Sequence, residues 1–341
     1  MKHITKSLMA GAIAATLAVP AVAQEINLKM ATIAPGTSAY LTMTTMATMV
    51  NQALDDVNIQ VDATGAATQH MVEVANGNLD MSMTSPTVYN FMKSGTVMYS
   101  QLPNAAELAE NLSLVFWFPL GNYHFLVYED SGIETMEDFA GKRVFLGPPG
   151  GGAYAAAVTA VRLMGGLEVG EDYDDVNASW SSSVQGFQDR QFDVLATTGI
   201  PPYPLVEQLA LTSTLRLIGL SKEEFDANQP FQDFITNTDG EEIGIIPAGV
   251  YGDNVVNTED VYTLGADVGV AARTDLDEDL VYRITKAYWE ALEKEKENTP
   301  WMKGITLEGA VKAAAGMRLH PGAQRYYEEV GVDIPEASRA M

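Results

Sequence analysis

Gly147-Pro148-Pro149-Gly150-Gly151-Gly152 forms a loop with almost no side chain. It lies between the apolar run Val144-Phe145-Leu146 and an alanine-rich stretch that reads as a helix from Gly152 to Met164. A strand, a bare glycine loop and a helix start make an anion site. The N–H groups are unshielded, and a helix start carries about half a positive charge. Gly150-x-Gly152-x-x-Ala155 also satisfies the loose form of the dinucleotide fingerprint, so the anion is either a nucleotide phosphate or a smaller oxyanion.

Four more loops share this character. They are Ala34–Tyr40, Thr64–Thr68, Thr84-Ser85-Pro86 and Thr197–Tyr203. Each puts small hydroxyls and free N–H groups at the start of a helix. Capping alone, at about 1 kcal/mol per Ser or Thr, explains any one of them. Five in one chain point to convergence, because strand-to-helix loops gather on one edge of a parallel sheet. Catalytic groups are scarce. Outside the first 23 residues only His70, His124 and His320 occur, and there is no G-x-S-x-G, no H-E-x-x-H and no Walker lysine. His124 sits in the apolar run Tyr123–Val127 and reads as a core or hinge residue. His320 precedes Pro321 and reads as a cap, and His70 opens a short helix where it could touch a ligand. Asp55-Asp56 and Asp174-Asp175 read as solvated turns, since the twelve-residue calcium loop is missing. Met43, Met46 and Met49 recur at helical spacing and predict core packing.

The elements that must carry these loops alternate. Strands are predicted near 28–33, 59–61, 80–83, 122–128, 143–146, 192–196, 215–220 and 261–272. Helices are predicted near 38–54, 69–75, 86 onward, 152–164, 182–188, 202–211, 276–296, 306–315 and 322–330. Repeated βαβ units imply an α/β fold of mainly parallel sheets flanked by helices. Residues 226–242 are polar and read as a long surface connection. The β-rich stretches near 123–128 and 261–270 are the candidate crossings between two lobes.

Lys2 and Lys6, the apolar run Leu8–Val19 and Ala21-Val22-Ala23 predict a cleaved secretory signal peptide over residues 1–23, and hence a periplasmic location. The chain has no cysteine, which removes disulfides, thiolate metal sites and a lipid anchor. Loss of the leader takes away two lysines and no acid, so the net charge of −25 becomes −27. That charge excludes nucleic acid and anionic lipid surfaces as partners.

Several segments carry a resemblance: Asp138-Phe139-Ala140-Gly141-Lys142-Arg143-Val144 with its glycine loop, Phe192–Gly199, Ile246-Pro247-Ala248-Gly249-Val250-Tyr251-Gly252 and Leu319-His320-Pro321-Gly322-Ala323-Gln324-Arg325. In their order and spacing the chain resembles the extracytoplasmic solute receptors of the TAXI subgroup of TRAP transporters (tripartite ATP-independent periplasmic transporters). The resemblance implies a two-lobed, Venus-flytrap periplasmic binding protein of type II-like form. Lobe one would hold residues 24–126 with 266–341, and lobe two residues 127–265. It implies capture of a small organic anion (carboxylate, dicarboxylate, oxoacid or acidic amino acid) and delivery to a membrane-embedded TRAP permease. It implies no enzyme activity, no cofactor, no metal and a monomer. A ligand-sensing partner of a membrane kinase and an exported α/β enzyme are the alternatives. The latter would need an acidic ribose ligand about 20 residues beyond the loop, where Glu168 is nearest. Carried over residue by residue, the resemblance assigns ligand contacts to Gly36, Thr37, Tyr40, Ala67, His70, Ser85, Gly151, Gly152, Ala153, Tyr154, Thr198, Gly199, Pro247, Ala248 and Gly249. The chain departs from the pattern at Tyr40, which stands without a second tyrosine, at His70 in place of Asn, and at Ala153 in place of Ser or Thr. No arginine falls in these loops, so neutral dipoles and helix starts would hold a carboxylate.

Overall fold

A computed structural model of the chain describes residues 25–35, 37–297 and 299–341. The leader expected at 1–23 and the contact expected at Gly36 lie outside the described residues. The strands are β1 (Ile26–Ala31), β2 (Val57–Asp62), β3 (Met81–Thr84), β4 (Leu112–Tyr128), β5 (Arg143–Phe145), β6 (Asp174–Asp175), β7 (Val194–Gly199), β8 (Leu215–Ile218), β9 (Glu241–Ile246) and β10 (Val261–Arg273). The helices are α1 (Ser38–Ala53), α2 (Ala67–Ala75), α3 (Pro86–Ser94), α4 (Ala105–Ala109), α5 (Gly152–Gly165), α6 (Trp180–Gln188), α7 (Pro204–Ala210), α8 (Lys222–Ala227), α9 (Gln229–Asn237), α10 (Glu278–Glu295), α11 (Leu307–Ala310) and α12 (Pro321–Glu329).

Local chemistry explains the helix limits. Thr37 accepts from the Tyr40 N–H to start α1, and Met43, Met46 and Val50 then point inward. Ser85 caps α3 ahead of Pro86, and Gly95 in the left-handed conformation ends it. Asp277 caps α10, which carries Glu278 and Asp279 in its first turn and Lys294 in its last, matching the helix dipole at both ends.

The strands form one sheet in the order β2-β1-β3-β10-β4-β7-β5-β6, with β9 on β10 and β8 on β4. Each end is parallel: β2-β1-β3 on one side and β7-β5-β6 on the other. The long strands β4 and β10 pair antiparallel and join the two ends. Their residues divide between separate cores. β4 packs into the first core up to Leu120 and into the second from Tyr123, while β10 leaves the second core after Leu264 and enters the first at Val268. The result is the expected two-lobed α/β architecture. Gly121 sits at the β4 crossing with φ +100°, and a Cβ there would lie 2.3 Å from the Gly199 carbonyl carbon. Only glycine fits both that backbone and that approach.

The first lobe is built from both ends of the chain. Phe116 of β4 stacks on Tyr288 of α10 at 4.8 Å. Trp289 Nε1 donates to Tyr327 Oη at 3.1 Å, and Tyr327 Oη donates to the Val115 carbonyl at 2.9 Å. These rings are almost fully buried, and each contributes about 1.5–3 kcal/mol by burial alone. The second lobe divides its core between the two sheet faces: one cluster around Phe125, Phe139 and Phe231, the other around Phe145, Phe187 and Tyr203.

Three sequence readings need correction. Residues 226–242 are not a bare connection: they hold the end of α8, all of α9 and the first residues of β9. Phe231 and Ile235, four residues apart, bury the inner face of α9. The helix expected over 306–315 is the single turn α11, followed by an irregular stretch in which Ala315 takes φ +56°. Asp174-Asp175 is strand β6 rather than a turn, and Asp175 is half-buried.

Candidate functional site

A cavity of about 100 Å³ lies between the lobes. The first lobe contributes the start of α2 (Gly65 to Thr68), Ser85, Thr87 and Val88 at the start of α3, and Leu120. The second contributes Pro148, Pro149, Gly151 to Tyr154, Trp180, Thr198 and Glu241, and β10 adds Ala266 to Val268. An engineered cavity of about 150 Å³ holds benzene, so the space suits a ligand of roughly four to six non-hydrogen atoms.

Two helix starts open into this space without a side-chain cap. The N-cap of α2 is Ala66 and that of α5 is Gly151, and neither has a side-chain hydrogen bond to its first turn. At α3 the Ser85 hydroxyl accepts from the Val88 N–H at 3.2 Å and so serves its own helix. Space around the glycine loop is tight. A Cβ on Gly152 would lie 2.5 Å from Val88 Cγ2, so the two lobes touch at this glycine. The Tyr123 hydroxyl reaches the Ala153 carbonyl at 3.3 Å, and the Tyr154 hydroxyl donates to Asp175 at 2.8 Å. Burial, followed by the bond to Asp175, pushes Tyr154 up to about 12.

Another part of the lining is acidic. Asp267, 3% exposed, forms an ion pair with Lys312, which also reaches Glu242 at 2.7 Å. Glu241 Oε1 lies 3.2 Å from Thr87 Oγ1, which is also 3.3 Å from the Asp239 carbonyl. Glu241 Oε2 is sealed from solvent and has no hydrogen-bond partner. Burial raises the Glu241 carboxyl to about 7, against the smaller opposing effect of the Thr87 hydrogen bond. Arginine and lysine are absent from the cavity lining among the described residues.

Of the expected contacts, Ala67, Ser85, Gly151, Gly152, Ala153, Tyr154 and Thr198 line the cavity. Thr37, Tyr40, His70, Gly199, Pro247, Ala248 and Gly249 do not. Thr37 is consumed by its own turn, donating to the Ala34 carbonyl and accepting from Tyr40 N–H. His70 lies beneath the loop: a Cβ on Gly65 would meet its Nε2 at 3.0 Å, and burial lowers its pKa. Gly199 is covered by the Tyr203 ring. Pro247 to Gly249 form an exposed turn past the far end of β9, whose first residue, Glu241, is the one at the cavity. Six strand residues span about 20 Å, which puts that turn out of reach.

Sequence reading missed Thr87, Trp180, Glu241 and Asp267. Thr87 follows the expected start at Pro86 by one residue, and Trp180 precedes the expected start at Ser182 by two. Glu241 was hidden because β9 turns Ile243 and Ile245 outward, 51% and 41% exposed, so no inward apolar alternation marks the strand. His124 is a fully buried junction residue. Its Nδ1 faces the Asn122 carbonyl at 2.8 Å and must donate, so Nε2 accepts from the Tyr251 hydroxyl at 2.6 Å. Burial drives its pKa down to about 4.

Among the described residues, no helix is long and apolar enough to cross a membrane. The alkanesulfonate-binding protein SsuA from Xanthomonas axonopodis pv. citri, solved with bound MOPS, is similar at 15% identity and a TM-score of 0.50, with 90% of this chain and 84% of that chain covered. At that identity the likeness shows the fold, that of a two-lobed solute-binding protein. A TRAP periplasmic solute binding protein from Chromohalobacter salexigens with bound D-glucuronate is similar at 13% identity and a TM-score of 0.46, with 90% and 87% covered. One from Xanthobacter autotrophicus with bound β-D-galacturonate matches at 11% identity and a TM-score of 0.47, with 90% and 88% covered. A family model described as the NMT1-like family matches residues 30–331, and the protein belongs to that family.

Proposed function

We propose that this protein is a periplasmic solute receptor that binds a small organic anion between its lobes and hands it to a secondary TRAP permease. One observation carries the reading: the uncapped starts of α2 and α5, from different lobes, line a single small cavity. Unmet N–H groups and helix dipoles at such starts attract an oxyanion. A ligand touching both lobes would select the closed state. The moving bodies in this proposal are residues 24–126 with 266–341 and residues 127–265, hinged where β4 and β10 cross. Ala67, Ser85, Gly151 to Tyr154 and Thr198 are the proposed contacts. The site acts by binding and release, and no group in it is assigned to chemistry on the ligand.

The TAXI assignment and the permease partner rest on the sequence segments quoted above. The similar Xanthomonas protein is described as an alkanesulfonate-binding protein. Sulfonates therefore belong in the ligand panel, since they present the same kind of oxyanion. The test is a thermal-shift screen of small mono- and dicarboxylates, oxoacids, amino acids and sulfonates, with native mass spectrometry of the co-purified ligand. At least one carboxylate is expected to raise the melting temperature. Indifference to all carboxylates, with a cation or neutral compound found in the cleft, would end this reading.

A further inference from the structure

The glycine loop accounts for how an anion is held in the cavity, but it leaves the acidic part of the lining without a role. Glu241 opens β9, belongs to that part and keeps Oε2 buried and unpartnered. A buried carboxylate oxygen without a donor is costly, and the large majority of buried polar atoms in native structures have a partner. Its other oxygen is already engaged by Thr87. Its acidic neighbour Asp267 is already neutralised by Lys312. The wall is thus one hydrogen-bond donor short, and no described protein group supplies it.

We propose that Glu241 is the specificity-determining residue of the cleft: its Oε2 accepts a hydrogen bond from an ammonium or hydroxyl group that the ligand carries beside its carboxylate. This rests on the carboxylate-receptor reading and narrows it. In about 100 Å³ a ligand of roughly four to six heavy atoms spans the cavity, so whatever sits on the glycine loop also meets the acidic lining. A ligand that is only an anion would set its charge near an acid with nothing between them. An ammonium carboxylate pairs each of its charges and leaves the cavity's net charge unchanged. The protein as a whole points the same way. A chain of net charge −25 repels a net anion at long range and is indifferent to a zwitterion. The preferred ligand is therefore a small amino acid, then a hydroxy acid, ahead of the oxo or unsubstituted acid of equal size.

The experiment is calorimetric titration of the mature protein, stripped of co-purified ligand, with alanine, β-alanine, lactate, pyruvate and propanoate. The same set is repeated on Glu241→Gln. That variant keeps the shape of the side chain but can present an N–H where Oε2 stood. The wild type is expected to prefer its best amino acid over pyruvate and propanoate by at least about tenfold. In E241Q that ratio should fall by about the same factor, through weaker amino-acid binding, tighter propanoate binding, or both. Equal binding of propanoate or pyruvate and the amino acids by the wild type overturns the Glu241 proposal but leaves the carboxylate reading standing. An unchanged ratio in E241Q does the same. Failure of all five acids to bind overturns the Glu241 proposal, and the carboxylate reading falls with it only if the wider carboxylate panel also fails to bind. The wild-type ratio decides the matter by itself should E241Q not fold.

Discussion

The loop from Gly147 to Gly152 and the loop from Gly199 to Tyr203 both leave strands of the parallel end of the second lobe, both carry a Pro-Pro pair and both run into a helix. In the first, the helix start has no cap and opens into the cavity. In the second, the Tyr203 ring fills the space over the glycine: a Cβ on Gly199 would lie 2.3 Å from its Cγ. The Tyr203 N–H donates to the Tyr251 hydroxyl at 3.1 Å, and that hydroxyl in turn donates to His124. One loop opens into the cavity, and the other is closed by a protein ring and locked to the long strand β4. Backbone sequence of nearly the same kind thus yields a cavity wall or a structural joint, according to whether an aromatic side chain returns to occupy it.

The sharpest way to break this contrast is to fill the open loop. Gly152→Asp adds a Cβ against Val88 and a negative charge at the proposed oxyanion site, and ligand affinity should fall more than about 100-fold by calorimetry. Gly152→Ala, which adds the contact without the charge, separates the two causes. Retained affinity in both variants would remove the loop from the site.

The closed loop should fail in acid. His124 has a pKa of about 4 when folded against an ordinary value of 6.5, so its contribution is complete above pH 6.5 and is lost as pH falls toward 4. Up to about 3 kcal/mol of stability is expected to disappear over that window, measured by urea denaturation at successive pH values. His124→Phe should flatten this part of the profile. The acid wall has the opposite sign. The Glu241 carboxyl is raised to about 7, so it favours the folded state below about pH 4.5 and penalises it increasingly up to pH 7. Glu241→Gln should therefore gain on the wild type by up to about 2 kcal/mol as pH rises through that range.

Smaller effects test the joint alone. Gly199→Ala overpacks the Tyr203 ring and should cost about 1–3 kcal/mol of stability, with ligand affinity unchanged once the protein is folded. Gly150→Ala meets no neighbour within 4 Å but sits at φ +78°, so about 1 kcal/mol is expected from the backbone alone. A larger affinity loss in Gly199→Ala than in Gly152→Ala would reverse the assignment of the two loops.

Much of this fold was legible because its signals are local. Thr37, Ser85 and Pro86 mark helix starts, Met43 and Met46 mark a buried helix face, and the β-rich stretches near 123–128 and 261–270 lie in the long strands β4 and β10. Where the apolar pattern was weak or inverted, the reading failed. The spacing of Phe231 and Ile235 was too sparse to outweigh a polar segment, and β9 exposes its isoleucines.

The sequence by itself determined that helix starts rich in glycine and hydroxyls recur along an acidic, cysteine-free α/β chain. Capping residues, glycines and hydrophobic spacing act over a few positions and can be read in order. Tertiary structure alone decided which of those starts share a cavity, which are consumed by their own turns, and that Tyr203 closes one of them. It also brought Glu241 and Asp267 into the same cavity lining as the glycine loop, about 90 to 115 positions away along the chain. No local pattern encodes that meeting, because it depends on the path of β9 and β10 back across the sheet.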